Sequence, residues 1–340
     1  MVQQAQGSAL LDRSAGEGPP PVPRGPEPVG IRREVTVPQQ MVHKQASAAV
    51  LLRNVERLAE DRFRVGARWP TRGRLFHSDP QGEPVLFAEA MRQSAIHLSH
   101  SAYAIPHDHQ FLLCGVTVET PALSAWRPAR RQEATLELGC VRHVSTARRF
   151  GAALEADVVA DGVIRRHGTL RWEALAPDYY ARLRAAGPGS GLSFPRPGRH
   201  GGPAAMAEPE AVGCRWPTDV LLASGGGSEG WTLVTDTGHP GYFDHPVDHI
   251  PGMVLVEAFR QASYAAGRRR AGDAVRPRLL RIGVQFNTFV GFHAPVRIRA
   301  AARAATQPGT GVWEVTAIQN DRVVAGGLTV WSLKEEQGSW

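Results

Sequence analysis

The chain contains an internal repeat, and this repeat constrains its fold more than any other feature. The segment HSDPQGEPVLFAEAMRQSA, which starts at His77, aligns without a gap with HPVDHIPGMVLVEAFRQAS, which starts at His245. The offset is 168 residues, and the same offset aligns LLCGVTVET at Leu112 with LRIGVQFNT at Leu280. One offset that holds across two separate segments indicates a tandem duplication.

Segments rich in Pro and Gly mark the limits of the two repeat units. Such segments are typical of disordered ends and of linkers between domains. We predict a disordered N-terminal arm at 1–33, a linker at 177–212 and a short tail at 335–340. These limits leave two domains of similar length, at 34–176 and 213–334.

The order of predicted elements is the same in both domains. Ala-rich segments with apolar residues at helical spacing predict helices over Leu86–Ser101 and Val254–Arg268. Alternating runs that predict four strands follow each helix, beginning at Phe111 and at Leu279. One long helix followed by an antiparallel meander is an α+β unit. Because the helices are apolar on several faces, we expect each sheet to wrap its helix, which makes the chain a tandem (double) hotdog.

Each predicted helix carries a Glu, an Arg and a Gln at positions i, i+3 and i+4, which share one helix face. The residues are Glu89, Arg92 and Gln93 in the first domain and Glu257, Arg260 and Gln261 in the second. An ordinary intrahelical ion pair is one explanation. The other is a functional site, in which the Glu is a general base or orienting group and the Arg binds an anion. The apolar flanks VLFAEAMRQSA and MVLVEAFRQAS indicate burial, which favours the functional explanation.

The loop before the second helix is crowded with polar residues. Asp244, His245, Asp248 and His249 precede a Pro-Gly pair at Gly252. The histidines suit an acid/base or substrate-orienting role, and the backbone N–H groups at the helix start suit an oxyanion. We predict no metal site here, because no third ligand has a recognisable spacing. The corresponding loop of the first domain has fewer such residues, so we expect the working site in the second domain.

Composition excludes several functional classes. The net charge of +7 comes almost entirely from Arg, in no long basic run and with no nucleic-acid motif, so we expect no nucleic-acid partner. No apolar run approaches the length of a membrane span and the N-terminus lacks a signal peptide, so we expect a cytoplasmic protein without a membrane partner. Histidines cluster near the end of the first helix, and we expect them to lie on the surface. They are His97, His100, His107 and His109.

The motifs resemble two related families. Gly252, Glu257 and Gln261 match the helix-entry spacing of hotdog acyl-carrier-protein dehydratases, but Phe243 stands where those enzymes have their catalytic His. A closer resemblance extends from about Val42 to Leu333. The VHK sequence at 42–44, LFAEAMRQSA and DHPVDHIPGMVLVEAFRQA together resemble the A-factor biosynthesis (AfsA) family of tandem hotdog proteins.

The AfsA resemblance implies an acyltransferase. Because the sequence shows no metal motif and no nucleotide motif such as a Walker sequence, we expect no cofactor and no metal. The resemblance implies transfer of a β-ketoacyl group from an acidic acyl carrier protein to the hydroxyl of dihydroxyacetone phosphate. The phosphorylated β-ketoester is a precursor of γ-butyrolactone, butenolide or furan signalling molecules that control antibiotic production. A tandem hotdog contains its own dimer, so the assembly is expected to be a monomer or a homodimer.

The resemblance and the residues together suggest roles within the site. We expect Glu257 to be the general base and Arg260 to bind the phosphate, with Glu89 as the pseudo-symmetric partner of Glu257. We also expect Glu257→Ala and Arg260→Ala each to abolish ester formation and leave the fold intact. The residues expected to bind substrate are Arg92, Gln93, Gln261, His245, Asp248, His249, Gly252, His43 and Lys44.

Two other functions fit the same sequence. A hotdog dehydratase or thioesterase would act on acyl thioesters without dihydroxyacetone phosphate. A non-catalytic protein would bind the hormone and turn nothing over. The intact Glu257 and Arg260 favour an enzyme over the binding protein.

Overall fold

Two long helices and an extended antiparallel sheet make up most of the described chain. The computed structural model describes residues 36–69, 83–120, 133–160, 163–186, 195–202, 205–224, 230–272 and 275–334. The predicted arm at 1–33 and tail at 335–340 lie outside these residues. Among the described residues, no helix is both long and apolar enough to cross a membrane.

The helices include both that the sequence predicts. They are α1 (Glu83–Ser101), α2 (Pro177–Ala186) and α3 (Gly252–Ala271). Helices α1 and α3 are buried on nearly every face, as their Ala-rich sequences indicate. Helix α2 lies inside the segment that we predicted as a linker. It begins with Pro177 followed by Asp178, residues that favour the first turn of a helix.

Strands with alternating burial follow α1 and α3, as predicted. In the first half the strands are β1 (Leu52–Ala59), β2 (Arg62–Arg68), β3 (Gln110–Glu119), β4 (Glu133–Ser145), β5 (Arg149–Ala160) and β6 (Val163–Leu175). The later strands are β7 (Arg199–His200), β8 (Leu222–Ser224), β9 (Gly230–Leu233), β10 (Thr235–Asp236), β11 (Arg278–Phe286), β12 (Arg297–Arg303), β13 (Thr310–Gln319) and β14 (Arg322–Ser332).

The two halves join into one sheet with pseudo-twofold symmetry. The strand order is β1-β2-β4-β5-β6-β3-β11-β14-β13-β12-β9-β8, so each half repeats the same order outward from the centre. Strands β3 and β11 pair antiparallel at the junction, and Val116 lies opposite Val284. These two residues are counterparts at the offset of 168, so the pseudo-twofold axis passes between them. Strands β7 and β10 form a separate two-stranded sheet.

Each long helix packs against the strands of its own half. Helix α1 contacts β1, β3, β5 and β6, and α3 contacts β8, β11, β12, β13 and β14. Gly168 on β6 allows the closest approach, because a Cβ there would lie 2.7 Å from Met91 and 2.9 Å from Phe87 on α1. Helices α1 and α3 also touch each other. The tandem hotdog prediction is therefore confirmed; the exact domain limits stay predictions.

The segments that precede β1 and β8 are structural counterparts. Residues 41–50 and 211–220 have the same succession of turns and 3-10 helix and almost the same pattern of burial. Their offset is 170 residues, two more than that of the helices, and they share only two identical pairs, Val42 with Val212 and Val50 with Val220. This correspondence places His43 opposite Gly213 and Lys44 opposite Cys214. The sequence repeat does not reveal it.

Candidate active site

A cavity of about 670 Å³ lies where the two halves meet. Its walls come from α1, β3 and β6 of the first half, from the loop at 241–251 and the start of α3 in the second half, and from α2. The apolar wall is formed by Ala95, Ile96, Phe111, Leu112, Leu113, Leu170, Trp172 and Phe286. A volume in this range suits a small organic substrate, and an apolar wall suits an acyl chain.

Two cations lie at the polar end of the cavity, on a buried carboxylate. Arg92 binds Glu89 through two hydrogen bonds, with Nε 2.8 Å from Oε2 and Nη2 3.0 Å from Oε1. Lys44 Nζ lies 3.1 Å from Glu89 Oε1 and 3.8 Å from Asp244 Oδ1. The Glu89 side chain is 1% exposed, whereas that of Arg92 is 23% exposed. Glu89 therefore holds two cations beside the cavity, and the Arg92 guanidinium keeps surface for a ligand.

These contacts make Glu89 a poor proton acceptor. Burial alone would raise its pKa, but the Arg92 guanidinium and the Lys44 ammonium together lower that pKa far below its ordinary range. The Gln93 amide donates a further hydrogen bond of 3.0 Å to Oε1. A carboxylate so stabilised in its charged form is suited to positioning cations and unsuited to taking a proton.

Two Asp–His pairs line the cavity from the loop of the second half, and the first of them lies beside Lys44. His245 Nδ1 lies 2.7 Å from Asp244 Oδ1, and His249 Nδ1 lies 2.7 Å from Asp248 Oδ1. Burial raises the pKa of both aspartates, but the hydrogen bonds and charges around them lower it by more in total. These come from His245 and Lys44 at Asp244, and from His249 and Arg184 at Asp248. An ionised Asp accepts the proton of Nδ1, so Nε2 of each imidazole keeps its lone pair for a substrate. This arrangement suits general base catalysis.

Helix α2 supports the second of these pairs. Arg184 Nε donates to Asp248 Oδ2 at 2.8 Å, and the Tyr180 hydroxyl donates to Oδ1 at 3.0 Å. The Arg184 guanidinium also stacks 4.5 Å from the centre of the Phe289 ring. The segment predicted as a linker therefore builds one wall of the cavity and fixes one of its aspartates.

The structure does not bring Glu257 and Arg260 to the cavity. Both side chains are 0% exposed, and neither lines the cavity wall. Arg260 Nη2 lies 2.7 Å from Glu257 Oε1, and it also donates to the Gly213 carbonyl at 3.1 Å. Cys214, which stands where the first half has Lys44, lies 3.7 Å from the same nitrogen. The first half thus presents its carboxylate and guanidinium to the cavity, whereas the second half encloses its own pair.

Gln93 and Gln261 clamp the helices to the segments that precede β1 and β8. The Leu51 and Leu221 amides donate to Gln93 Oε1 and Gln261 Oε1, each at 2.9 Å. The Gln93 amide donates to the Ala49 carbonyl at 2.9 Å, and the Gln261 amide donates to the Asp219 carbonyl at 2.9 Å. Both glutamines are fully buried and away from the cavity wall. Their contacts are structural in both halves.

The remaining predicted residues lie at the cavity. His43, Lys44, His245, Asp248, His249 and Gly252 all line it. His43 has a left-handed backbone (φ 52°), as does its counterpart Gly213 (φ 65°). Gly252 is the first residue of α3, and the first N–H groups of a helix have no acceptor within it. A Cβ at Gly252 would lie 3.2 Å from Phe286, so a larger residue would crowd the wall.

Several residues at or around the cavity were missed or misjudged in the sequence. The prediction that the histidines near the end of α1 lie on the surface is wrong for His100 and His109, which are 8% and 7% exposed. Asp244, Tyr180 and Arg184 were not assigned to the site. The helical spacing of Tyr180 and Arg184 after Pro177 was a usable signal, whereas nothing local identifies Asp244 as the partner of Lys44. Burial raises the pKa of the Cys114 thiol at the cavity to about 11, which disfavours a thiolate nucleophile.

Fold and cavity together define a tandem hotdog protein with one polar and one apolar wall at the junction of its halves. Residues 31–174 and 199–333 match the model of the A-factor biosynthesis hotdog domain, AfsA, and the chain belongs to this family.

Two curated relatives and one solved structure are among the similar proteins. The chain is 32% identical to a 2-oxo-3-(phosphooxy)propyl 3-oxoalkanoate synthase of Streptomyces virginiae, over 85% of this chain and 95% of the relative. It is 31% identical to the synthase of the same name from Streptomyces griseus, over 87% and 93%. The tesB protein of Mycobacterium avium subs paratuberculosis aligns with 82% of this chain and 95% of its own, at 10% identity and a TM-score of 0.43.

Proposed function

We propose that the chain transfers a β-ketoacyl group from an acyl carrier protein to the hydroxyl of dihydroxyacetone phosphate. The product is a phosphorylated β-ketoester, the compound class in the name of the Streptomyces relatives. The observation that carries this proposal is the cavity itself, in which two cations from one half face an Asp–His pair from the other. The two cations suit the phosphate, the Asp–His pair suits the reacting hydroxyl, and the apolar wall suits the acyl chain.

The phosphate of the acceptor is assigned to Arg92 and Lys44. A guanidinium binds phosphate through two parallel hydrogen bonds, and an ammonium adds a point charge. Glu89 neutralises part of their charge and fixes their positions. In this role Glu89 is a positioning residue, which is the orienting alternative that the sequence left open. Glu257, which we expected from the sequence to be the base, is not the base in this proposal.

His245 is assigned as the general base. Its Nε2 takes the proton of the acceptor hydroxyl while that oxygen attacks the thioester carbonyl carbon. The carbon–sulfur bond then breaks, and the thiol of the carrier leaves with a proton returned by His245. Asp244 holds the imidazole through Nδ1 and also contacts Lys44, so it links the base to the phosphate-binding cations. His249 lines the same cavity and is assigned to substrate orientation.

The start of α3 is assigned to the oxyanion of the tetrahedral intermediate. Gly252 and Met253 line the cavity, and their N–H groups belong to the first turn of the helix. Backbone N–H groups at a helix N-terminus stabilise developing negative charge. The apolar wall near Ile96 and Trp172 then takes the acyl chain.

The acyl donor is assigned to an acidic carrier protein. The net charge of +7 provides a favourable field for such a partner, and charge complementarity of this kind mainly raises the rate of association. A free acyl thioester would serve in its place at a lower rate. A dehydratase or thioesterase needs no phosphorylated acceptor. The Arg92 guanidinium and the Lys44 ammonium at the cavity therefore favour the transferase.

Mass spectrometry of the products tests the proposal directly. Purified protein is incubated with a β-ketoacyl carrier protein and dihydroxyacetone phosphate, and each substrate is omitted in turn. We expect the phosphorylated ester only when both are present. Acyl loss without the acceptor would instead indicate a thioesterase, and product binding without turnover would indicate a hormone-binding protein.

A matched pair of variants tests the assigned base. We expect His245→Ala to lower the rate of ester formation by about 10²–10⁴-fold, the usual contribution of a general base. His143→Ala removes an exposed imidazole on β4 and should leave the rate unchanged. Equal rates in the two variants would remove His245 from the mechanism.

A further inference from the structure

Three histidines from three separate segments converge beside the cavity. His43 follows the 3-10 helix at Gln39–Val42, His100 lies in the last turn of α1, and His107 belongs to the loop before β3. One ring nitrogen from each lies within 4.8 Å of the others. Phe111 on β3 packs edge-on against both His43 and His100, which restricts these two rings.

The hydrogen bonds within this cluster prepare the imidazoles for a ligand. His100 Nδ1 lies 2.7 Å from the Ile105 carbonyl, which can only accept, so Nδ1 carries the proton and Nε2 carries the lone pair. His43 Nε2 lies 2.9 Å from His100 Nε2, so His43 donates the one proton that lies between these nitrogens. A backbone carbonyl that fixes the tautomer of a histidine is the usual outer partner of a metal-binding imidazole.

We propose that His43, His100 and His107 bind one divalent transition-metal ion, with zinc as the best match. Two nitrogens on a tetrahedral zinc, each about 2.0–2.1 Å from the metal, lie about 3.3 Å apart, so the 2.9 Å pair needs only a small adjustment. The metal takes the place of the proton between His43 and His100. The His107 ring stacks on that of His100, with 4.2 Å between the ring centres, and must turn out of this stack to bind the ion. Its exposed position allows that movement without disturbing the core.

The chemistry of the donor set selects the class of metal. Three imidazoles without a carboxylate suit zinc, copper or nickel and do not suit calcium or magnesium, which require oxygen ligands. Three protein ligands leave the fourth position of zinc open for water or a substrate oxygen. Because His43 also lines the cavity, the metal site adjoins the cavity.

Metal titration in the absence of substrates tests the site. Protein without a histidine tag is stripped with a chelator and titrated with Zn²⁺ and with Co²⁺, whose visible absorption reports its coordination. We expect one ion per chain and the spectrum of a nitrogen-bound, four-coordinate Co²⁺. Because no substrate is present, the outcome does not depend on the proposed acyl transfer.

Single variants identify the ligands. His107→Ala should weaken metal binding at least about tenfold, since even an outer partner of a ligand is worth 10–100-fold. His100→Asn should do the same, and circular dichroism checks that this buried variant is folded. His143→Ala is the exposed control and should keep the affinity of the parent protein. No binding, or the same affinity in His107→Ala as in the control, would overturn the proposal.

Discussion

The two halves hold the same carboxylate, guanidinium and amide on the same helix face, yet only the Glu89–Arg92 pair of the first half meets the cavity. In the first half Glu89 binds Arg92 and Lys44, and the Arg92 side chain is 23% exposed. In the second half the Glu257–Arg260 pair is fully enclosed. The local difference next to the carboxylate is at Lys44 in the first half, which corresponds to Cys214 in the second. The shared motif is therefore mainly a scaffold, and function depends on what surrounds it.

Removing each arginine separates the two halves most sharply. We expect Arg92→Ala to lower ester formation about 10²–10³-fold through the lost phosphate contacts, with a small effect on stability because Glu89 keeps Lys44 and Gln93. Arg260→Ala leaves the Glu257 carboxylate buried without its guanidinium, which should cost about 3–5 kcal/mol of unfolding free energy. Initial rates and urea unfolding give the two readouts. If Arg260→Ala folded normally and lost activity while Arg92→Ala kept it, the working site would belong to the second half.

The next largest effect is expected when Lys44 is replaced by its counterpart from the second half. Lys44→Cys gives the first half the residue of the second, and it removes one of the two cations assigned to phosphate. We expect the KM for dihydroxyacetone phosphate to rise about 10–100-fold, the worth of one charge-assisted contact of about 1.5–3 kcal/mol. Lys334→Cys, which removes the lysine near the C-terminal end of β14, is the matched control. An unchanged KM would place the phosphate elsewhere.

The glutamine clamps should behave alike in the two halves. Gln93→Ala and Gln261→Ala each leave a backbone amide and a backbone carbonyl without their buried partner. The cost of such unsatisfied groups is about 1–3 kcal/mol, and we expect the two variants to lose the same unfolding free energy within about 1 kcal/mol. Thermal or urea unfolding measures this. A loss in only one half would show that the scaffold is not shared.

The smallest effect is the pH dependence contributed by Glu89. Its folded pKa lies below its ordinary value of 4.5, so its contribution to stability is present above that pH and is lost as the pH falls. The unfolding free energy of the parent protein should therefore fall more steeply below about pH 4.5 than that of Glu89→Gln, by at most about 1.4 kcal/mol per pH unit. Glu155→Gln, at an exposed position, should keep the slope of the parent. Parallel curves for Glu89→Gln and the parent would contradict the depressed pKa.

Local sequence was sufficient for the repeat, the two long helices and the strands after them. Helical spacing and alternation are properties of neighbouring residues, so they survive in a single sequence. The partners of the charged residues were not accessible in the same way. Lys44, Glu89 and Asp244 come together only in the folded chain, and the two-residue change of offset hides the correspondence of Lys44 with Cys214. The buried charges on α3 looked catalytic because sequence indicates burial but not whether a cavity lies beside it.

The pairing of Val116 with Val284 has a consequence for how such a molecule changes over time. In a symmetric dimer of two identical chains, any substitution would appear in both working centres at once. Joining the copies in one chain removes that restriction, and the described cavity takes α1 from one copy and the loop at 241–251 from the other. One copy is then free to enclose its carboxylate and guanidinium as a rigid support, while the other keeps them at the cavity.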